Sequence, residues 1–231
     1  MMTREADALA SITNHGWLAA CPAAFRDWVT ANIRWRAFAA GEGITQFGEN
    51  EGGLYCVGDG QLHFVAGIGM PDVGTSYLGL PGAWWGHAPL LNGGRVGATV
   101  ASCDTLCGSV RLSALRARLA AEPGDWQCMT MAMSDLFMMS AGAHADLLIA
   151  DSRRRVAATI LRLSGWRHRV YRVKPPASFV CTHEQLAGAA AYSRNTAGKI
   201  VRAFEDEGLI EARYGRIAIL DARRLRAVVN E

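Results

Sequence analysis

Residues 182–202, THEQLAGAAAYSRNTAGKIVR, carry the pattern that most restricts how this chain can fold. Thr182 is a favourable N-cap, and Gln185 three residues later completes a capping box, so a helix is predicted to begin here. The small residues 189–193 permit a tight turn, and Ser193 can cap a second, amphipathic helix. Two short helices joined in this way predict a helix-turn-helix.

The second of these helices begins with residues that suit contacts to DNA. In a DNA-binding helix-turn-helix, the second helix enters the major groove and its N-terminal residues reach base edges. Arg pairs well with guanine and Asn with adenine, and Arg194 and Asn195 begin this helix. The alternative is an ordinary helical hairpin with an exposed polar face, since helix pairs are common. The predicted DNA-binding residues are Thr182, His183, Ser193, Arg194, Asn195, Thr196, Lys199 and Arg216.

A predicted β-hairpin follows the two helices and favours DNA binding. Residues 209–213 and 217–220 are short apolar strands separated by Tyr214-Gly215-Arg216, which places a basic tip where a winged helix carries its wing. The charge balance agrees, because residues 151–231 hold 16 Lys and Arg against 8 Asp and Glu, whereas residues 1–150 hold 8 against 13. A basic C-terminal third suits phosphate binding, and an acidic remainder suits a sensor or partner domain.

The composition is that of a globular protein. Half of the 231 residues are apolar, yet no run approaches the roughly 20 apolar residues that a transmembrane helix needs. The N-terminus lacks a secretory signal pattern, and the six scattered cysteines include no C-x-x-C motif, so we expect a cytoplasmic protein with reduced thiols and no membrane partner. No nucleophile-elbow, phosphate-loop, zinc-protease or dinucleotide motif occurs in a fitting context, so the sequence does not predict an enzyme.

The N-terminal half changes from helical to strand periodicity. Residues 5–36 have helical spacing, whereas residues 38–112 are short apolar stretches interrupted by glycine every few residues. Many short strands with glycine turns are typical of a β-barrel or jelly roll. Within this region, residues 54–57 and 61–65 flank the sequence Gly58-Asp59-Gly60, which predicts a hairpin.

A long helix is predicted from residue 126 to residue 149. Apolar residues at a 3,4,3,4 spacing form a heptad seam along it, and further apolar residues lie off that seam. A helix that is apolar on two sides needs two burying surfaces, so we expect a homodimer; a single buried core helix is the alternative. A break at Lys174-Pro175-Pro176 then precedes the helix-turn-helix. The predicted dimer-interface residues are Met129, Ala132, Leu136, Met139 and Ala143.

The order of these elements resembles the Crp/Fnr family of transcription regulators, the relatives of the cyclic AMP receptor protein. Residues 182–202 follow that family's T-x-x-x-[IL]-[AG]-…-[ST]-R-x-T-x-x-[RK] pattern without a gap. The resemblance implies an α+β fold with three parts. Residues 1–122 would form N-terminal helices and a cyclic-nucleotide-binding-like β-barrel (jelly roll) that binds an effector. Residues 123–150 would form a dimerisation helix, and residues 151–231 a winged helix-turn-helix domain that binds DNA.

The same resemblance implies the partners and the kind of function. It implies a homodimeric transcriptional regulator that binds a palindromic operator in double-stranded DNA. An unknown small-molecule effector would bind the sensor barrel, and RNA polymerase is a further candidate partner.

The predicted effector pocket departs from the family pattern. Family members that bind cyclic AMP carry a Glu that meets the ribose and an Arg that meets the cyclic phosphate, and the resemblance places His87 and Val96 at those positions. Arg95 is one residue away and reaches the Arg position only if the loop shifts. We therefore expect an effector other than cyclic AMP, and the sequence identifies no cofactor. The predicted pocket residues are Trp85, Gly86, His87, Arg95 and Ser140.

His87 also leaves open a haem- or metal-dependent gas or redox sensor of the same family. A neutral imidazole ligates haem iron and other metals, and some relatives hold haem through a histidine in this part of the domain. A surface or hydrogen-bonded histidine is the ordinary alternative. Cys103 and Cys107 are a loose candidate pair for metal or redox chemistry, with small buried thiols as the alternative, and no metal site is predicted.

Overall fold

The computed structural model describes residues 2–66, 75–91, 93–167 and 175–230. Three helices come first, namely α1 (Met2–Thr13), α2 (Gly16–Ala20) and α3 (Ala23–Asn32). Their apolar sides pack on one face of a β-sheet, where Trp17 and Phe25 share a buried core with Leu54. The predicted helical segment ends at Asn32, because the extended Ile33 leads directly into the first strand.

The residues that follow form two antiparallel sheets. Their strands are β1 (Arg34–Phe38), β2 (Gly43–Thr45), β3 (Gly53–Asp59), β4 (Leu62–Ala66), β5 (Thr75–Gly79), β6 (Trp84–Trp85), β7 (Gly97–Ala101) and β8 (Thr105–Arg111), with the short helix α4 (Ala88–Leu91) after β6. One sheet has the order β1-β8-β3-β6, and the other has the order β2-β7-β4-β5. Phe38, Val57 and Leu62 belong to a core that joins the two sheets. The sequence predicted a β-barrel or a jelly roll, and the two sheets correspond to the jelly roll. The described strands do not close into a barrel.

The hairpin predicted across residues 58–60 is wrong. β3 pairs with β6 and β8, whereas β4 pairs with β5 and β7, so the chain passes here from one sheet to the other. Gly60 has a φ of +86°, and a Cβ at this position would lie 2.6 Å from the carbonyl oxygen of Asp104. A glycine pair therefore marks a crossing between sheets, which local sequence does not distinguish from a tight turn.

The long helix is present near its predicted bounds. α5 (Leu112–Ala121) and a 3-10 turn (Pro123–Asp125) lead into α6 (Trp126–Leu147), which is followed by α7 (Ser152–Leu163). Asp151 caps α7, because its carboxylate accepts a hydrogen bond from the backbone nitrogen of Arg154 at 2.8 Å.

The C-terminal residues form the predicted winged helix-turn-helix. α8 (His183–Ala189) begins with the capping box of Thr182 and Gln185, and α9 (Arg194–Asp206) begins at the capping hydroxyl of Ser193. β9 (Ser178–Val180), β10 (Ile210–Arg213) and β11 (Arg216–Ile219) form a sheet of order β10-β11-β9, before α10 (Ala222–Asn230). A break was predicted at residues 174–176. Pro175 and Pro176 precede β9, and residue 174 lies outside the described residues.

Candidate DNA-binding surface and effector cavity

The start of α9 presents polar side chains to solvent. Arg194, Asn195 and Lys199 are exposed, whereas Ala197 and Val201 are fully buried. This division follows from helical spacing, because one face of α9 packs against α7 and α8 while the opposite face stays free. The N-terminal turn of α9 is therefore available to enter a groove of DNA.

The wing lies beside the start of α8. Its two-residue turn, Tyr214 and Gly215, has φ values of 50° and 72°, the left-handed geometry that two-residue hairpins favour. The carbonyl oxygen of Gly215 accepts a hydrogen bond from the backbone nitrogen of Cys181 at 2.8 Å, which holds the wing against the capping residue Thr182. Thr182 is exposed and His183 is half-buried, so both remain reachable from the wing side.

Two further arginines belong to this region and were missed as DNA-binding candidates. Arg202 is exposed on α9 one turn after Lys199, and Arg213 is exposed directly opposite Arg216 in the wing. The signal that could have found them was spacing, since residues three apart on a helix share a face and paired residues in a hairpin are neighbours. Thr196, by contrast, is held locally, because its hydroxyl lies 3.0 Å from that of Ser193.

A cavity of about 570 Å³ lies between the sheet β2-β7-β4-β5 and α6. This volume is within the range of small-molecule sites in proteins. The five predicted pocket residues, Trp85, Gly86, His87, Arg95 and Ser140, all line it. Most of the remaining wall is apolar and includes Leu62, Phe64, Trp84, Met133, Phe137 and Met139.

Arg95 reaches this cavity without the loop shift that the family comparison required. Its side chain is only 4% exposed, and Nη2 donates to the carbonyl oxygens of Glu51 at 2.9 Å and Gly53 at 3.0 Å. Its Nε lies 3.3 Å from the Oε2 atom of Glu49. Val96, which stands at the family's Arg position, also lines the cavity but is 48% exposed. Arg95, rather than a residue at the family's Arg position, is therefore the buried cation that this loop brings to the pocket.

Several polar atoms at the Arg95 end of the cavity have no hydrogen-bond partner among the described residues. They are Nη1 of Arg95, Nε1 of Trp85 and Nδ1 of His87. Burial lowers the pKa of His87, and the positive charge of Arg95 lowers that pKa further, so the imidazole is neutral at pH 7. These three buried atoms belong to residues that line the cavity.

The cysteines and carboxylates do not assemble a metal site in the part of the chain that the structure describes. No cluster of three or more His, Cys, Asp or Glu side chains there could hold a metal ion. Cys107 is buried and burial raises the pKa of its thiol to about 12, whereas Cys103 is only half-buried. A thiol with such a raised pKa is a poor ligand or nucleophile at neutral pH.

The predicted interface residues on α6 divide into two groups. Leu136, Met139 and Ala143 line the cavity and are half-buried. Met129 and Ala132 are 1% and 4% exposed, in the core that the N-terminal helices cover within the same chain. For Met129 and Ala132 the prediction of a dimer contact is therefore corrected. Heptad spacing identifies an apolar seam, but it does not say which neighbour covers it.

A different part of α6 is apolar and uncovered. Phe137 is 70% exposed and Met138 is 55% exposed, both in the half of the helix beyond the N-terminal helices. Leu148, just after the helix, is 72% exposed. Large apolar side chains grouped in this way mark a surface that binds another molecule more often than isolated ones do.

The sheet that lines the cavity also contacts the winged helix-turn-helix. Leu78 of β5 is buried in the same core as Phe179 of β9. The side-chain amide of Gln61 pairs with the backbone of Val180, since Nε2 donates to the carbonyl oxygen at 2.6 Å and Oε1 accepts from the nitrogen at 2.8 Å. The next residue, Leu62, lines the cavity. One sheet is thus a wall of the cavity and a support for the C-terminal domain.

Arg162 of α7 connects the cavity with the ends of two helices. It lines the cavity, and its Nε donates to Oδ2 of Asp146 on α6 at 2.9 Å, while Nη2 donates to the carbonyl oxygen of Ala189 on α8 at 3.4 Å. Asp146 is fully buried and also forms an ion pair with Arg167. Burial lowers the pKa of Arg162 to about 10, so the guanidinium stays charged at neutral pH.

Comparisons with known proteins agree with this architecture. Residues 154–228 match the Crp-like helix-turn-helix domain. The fold resembles that of TTHB099, a CRP-family transcriptional regulator of Thermus thermophilus, at 20% identity and a TM-score of 0.65 over 85% of this chain and 97% of that chain. It also resembles FixK2 of Bradyrhizobium japonicum, at 16% identity and a TM-score of 0.67 over 85% and 96% of the two chains.

A third similar structure is that of the c-di-GMP-responsive global regulator CLP of Xanthomonas campestris. It is 17% identical, with a TM-score of 0.64 over 87% of this chain and 100% of that chain. No curated protein matches the sequence significantly.

The similar structures share the plan of a winged helix-turn-helix joined by a long helix to a double-sheet domain. Residues 154–228 are a Crp-like helix-turn-helix domain, and the chain has the fold of the Crp/Fnr regulators, so the resemblance predicted from the sequence is confirmed. Within the described residues, none of the helices combines the length and apolar character needed to cross a bilayer.

Proposed function

We propose that this chain is a homodimeric, sequence-specific transcription regulator that binds a palindromic operator. The observation that carries the proposal is the winged helix-turn-helix, with Arg194, Asn195 and Lys199 exposed at the start of α9. Two such helices related by a twofold axis would contact successive major grooves, so the half-sites should lie about one helical turn, roughly 34–36 Å, apart.

A second copy of the chain is the partner that suits the exposed face of α6. Phe137 and Met138 are exposed on α6 and lie off the heptad seam, whose residues face the cavity or the core of the same chain. Pairing α6 with its symmetry mate would bury these side chains. Burial of apolar area would supply the driving force.

The residues at the start of α9 define the expected half-site. Arg194 should donate to guanine, and Asn195 should pair with adenine. Family members often carry a Glu at the position of Asn195, where its carboxylate accepts from cytosine, so this half-site should differ from the usual family half-site at that step. Arg216 in the wing should hold a phosphate, which adds affinity without sequence preference.

Binding-site selection from random DNA with the wild type and Arg194→Ala tests this proposal. The wild type should enrich a palindrome. Arg194→Ala should weaken the binding free energy by about 1–3 kcal/mol per half-site and should relax the preference for guanine at one position. Arg216→Ala is the control, because loss of a phosphate contact should weaken all sequences alike and reduce the salt slope by about one. An unchanged consensus for Arg194→Ala would show that Arg194 does not read a base.

We further propose that the cavity senses an effector other than cyclic AMP. No Asp or Glu of the described chain lines it, so a ribose would find no carboxylate acceptor. Isothermal titration calorimetry with cyclic AMP should show no binding at micromolar concentration, and micromolar binding would overturn this part.

A haem- or metal-dependent sensor of the same family is the second candidate. The observation that favours it is the buried Nδ1 atom of His87, which lacks a partner among the described residues. Protein purified from cells supplied with a haem precursor should then absorb visible light, and His87→Ala should abolish that absorption. Colourless protein with no metal in elemental analysis would exclude this candidate.

A further inference from the structure

Buried positive charge lines the cavity. Arg95 and Arg162 both line it, each with a side chain less than a tenth exposed. Arg162 shares the fully buried Asp146 with Arg167, so one carboxylate pairs with two guanidinium groups there. The carboxylate beside Arg95 is that of Glu49, which is 40% exposed and lies 3.3 Å away from Nε. Because a hydrated carboxylate compensates a buried charge poorly, the Arg95 end remains positive.

Donor groups at the same end lack acceptors. Nη1 of Arg95 and Nε1 of Trp85 can only donate, and neither has a partner among the described residues. Nδ1 of His87 is likewise without one. Buried donors in folded proteins nearly always have partners, and all three residues line the cavity. A ligand that brings acceptor oxygens to this end would complete these hydrogen bonds.

The rest of the wall suits a hydrocarbon body and offers little to a sugar. Most of its side chains are apolar, and Phe64, Trp84 and Met133 are among them. The hydroxyls of Thr45 and Thr99, which also line the cavity, lie 2.8 Å apart and bond each other. The paired hydroxyls of Thr45 and Thr99 are therefore less available to a polyhydroxyl ligand.

From this combination we propose that the cavity binds an apolar molecule with one anionic group, an aromatic or alkyl carboxylate or sulfonate. The anion would accept from Arg95 and Trp85, and the apolar body would lie against α6 beside Leu136 and Met139. Charge-assisted bonds fix the anionic end, and burial of the body adds affinity. The inference rests on the proposed sensor role of the cavity, but its test involves no DNA.

The test uses 1-anilinonaphthalene-8-sulfonate and its uncharged counterpart N-phenyl-1-naphthylamine, both of which fluoresce more strongly in an apolar site. Arg95→Leu should weaken binding of the anionic probe at least about tenfold and change binding of the neutral probe less than about twofold. Arg34→Leu, at an exposed arginine of β1, is the matched control and should change neither. Decanoate should displace the anionic probe at lower concentration than decanol.

A second variant covers the case in which Arg95→Leu does not fold. Trp85→Phe keeps an aromatic ring but removes the indole N–H, so it should weaken the anionic probe about threefold and leave the neutral probe unchanged. The proposal would be overturned if folded variants bound both probes equally more weakly, or if the binding of neither probe were weakened. If the protein binds its operator but the two probes do not behave as expected, only the proposed ligand class is rejected. If the probes behave as expected but no operator is bound, only the proposed regulator function is rejected.

Discussion

At the scale of single residues, the carboxyl group of Asp135 on α6 is an unusual feature. Its Oδ2 atom is buried without a partner among the described residues, and burial raises its pKa from 3.8 to about 6. The folded state therefore holds this proton more tightly than the unfolded state, so the contribution of Asp135 to stability falls as pH rises from about 4 to about 6.

Asp135→Asn should raise the melting temperature more at pH 7.5 than at pH 4.5. The exposed Asp7→Asn should not show this difference, and equal shifts at both pH values would contradict the account.

At the scale of secondary-structure elements, the exposed part of α6 is the proposed dimer contact. Phe137→Ser should lower the sedimentation coefficient from that of a dimer to that of a monomer, because it removes the apolar side chain that a second helix would bury. Phe137 also lines the cavity, so circular dichroism should confirm that the variant is folded. Phe47→Ser removes a comparably exposed phenylalanine from the loop after β2 and is the control. A Phe137→Ser variant that still sediments as a dimer would place the interface elsewhere.

The contact between β9 and the turn before β4 is a second test at this scale. Gln61→Ala removes two hydrogen bonds to Val180 and leaves the half-buried backbone N–H and C=O of Val180 without these partners. The expected loss is about 1–3 kcal/mol in the free energy of unfolding, measured with urea. Gln46→Ala, at an exposed glutamine in the same domain, should cost much less. Equal stability of the two variants would mean that Gln61 does not support the C-terminal domain.

The sequence predicted those elements that local residues determine. The capping box at Thr182, the N-cap at Ser193 and the wing turn depend on residues a few positions apart, and all three are present in the structure. Contacts between distant residues were not predictable in the same way. The pairing of β3 and β4 with different sheets, the burial of Met129 by the N-terminal helices and the position of Arg95 all depend on how separate elements pack.

At the scale of the whole molecule, the cavity, the long helix and the DNA-binding surface are continuous. Leu62 of β4 lies in the cavity wall, and the preceding residue, Gln61, bonds the backbone of β9. Arg162 lines the same cavity and also bonds residues at the ends of α6 and α8. A ligand that displaced Arg162 or this sheet would change contacts on both sides of the junction. Differential contacts of this kind are what a ligand needs in order to shift a conformational equilibrium.

Two copies of this chain are expected to bind one palindromic duplex. This stoichiometry can be measured in a native mass spectrum of the purified protein mixed with the duplex enriched in the binding-site selection. The spectrum should show a complex of two chains and one duplex, and the same protein without DNA should have the mass of a dimer. A complex with a single chain on a full-length site, or the absence of any complex with the duplex, would contradict it.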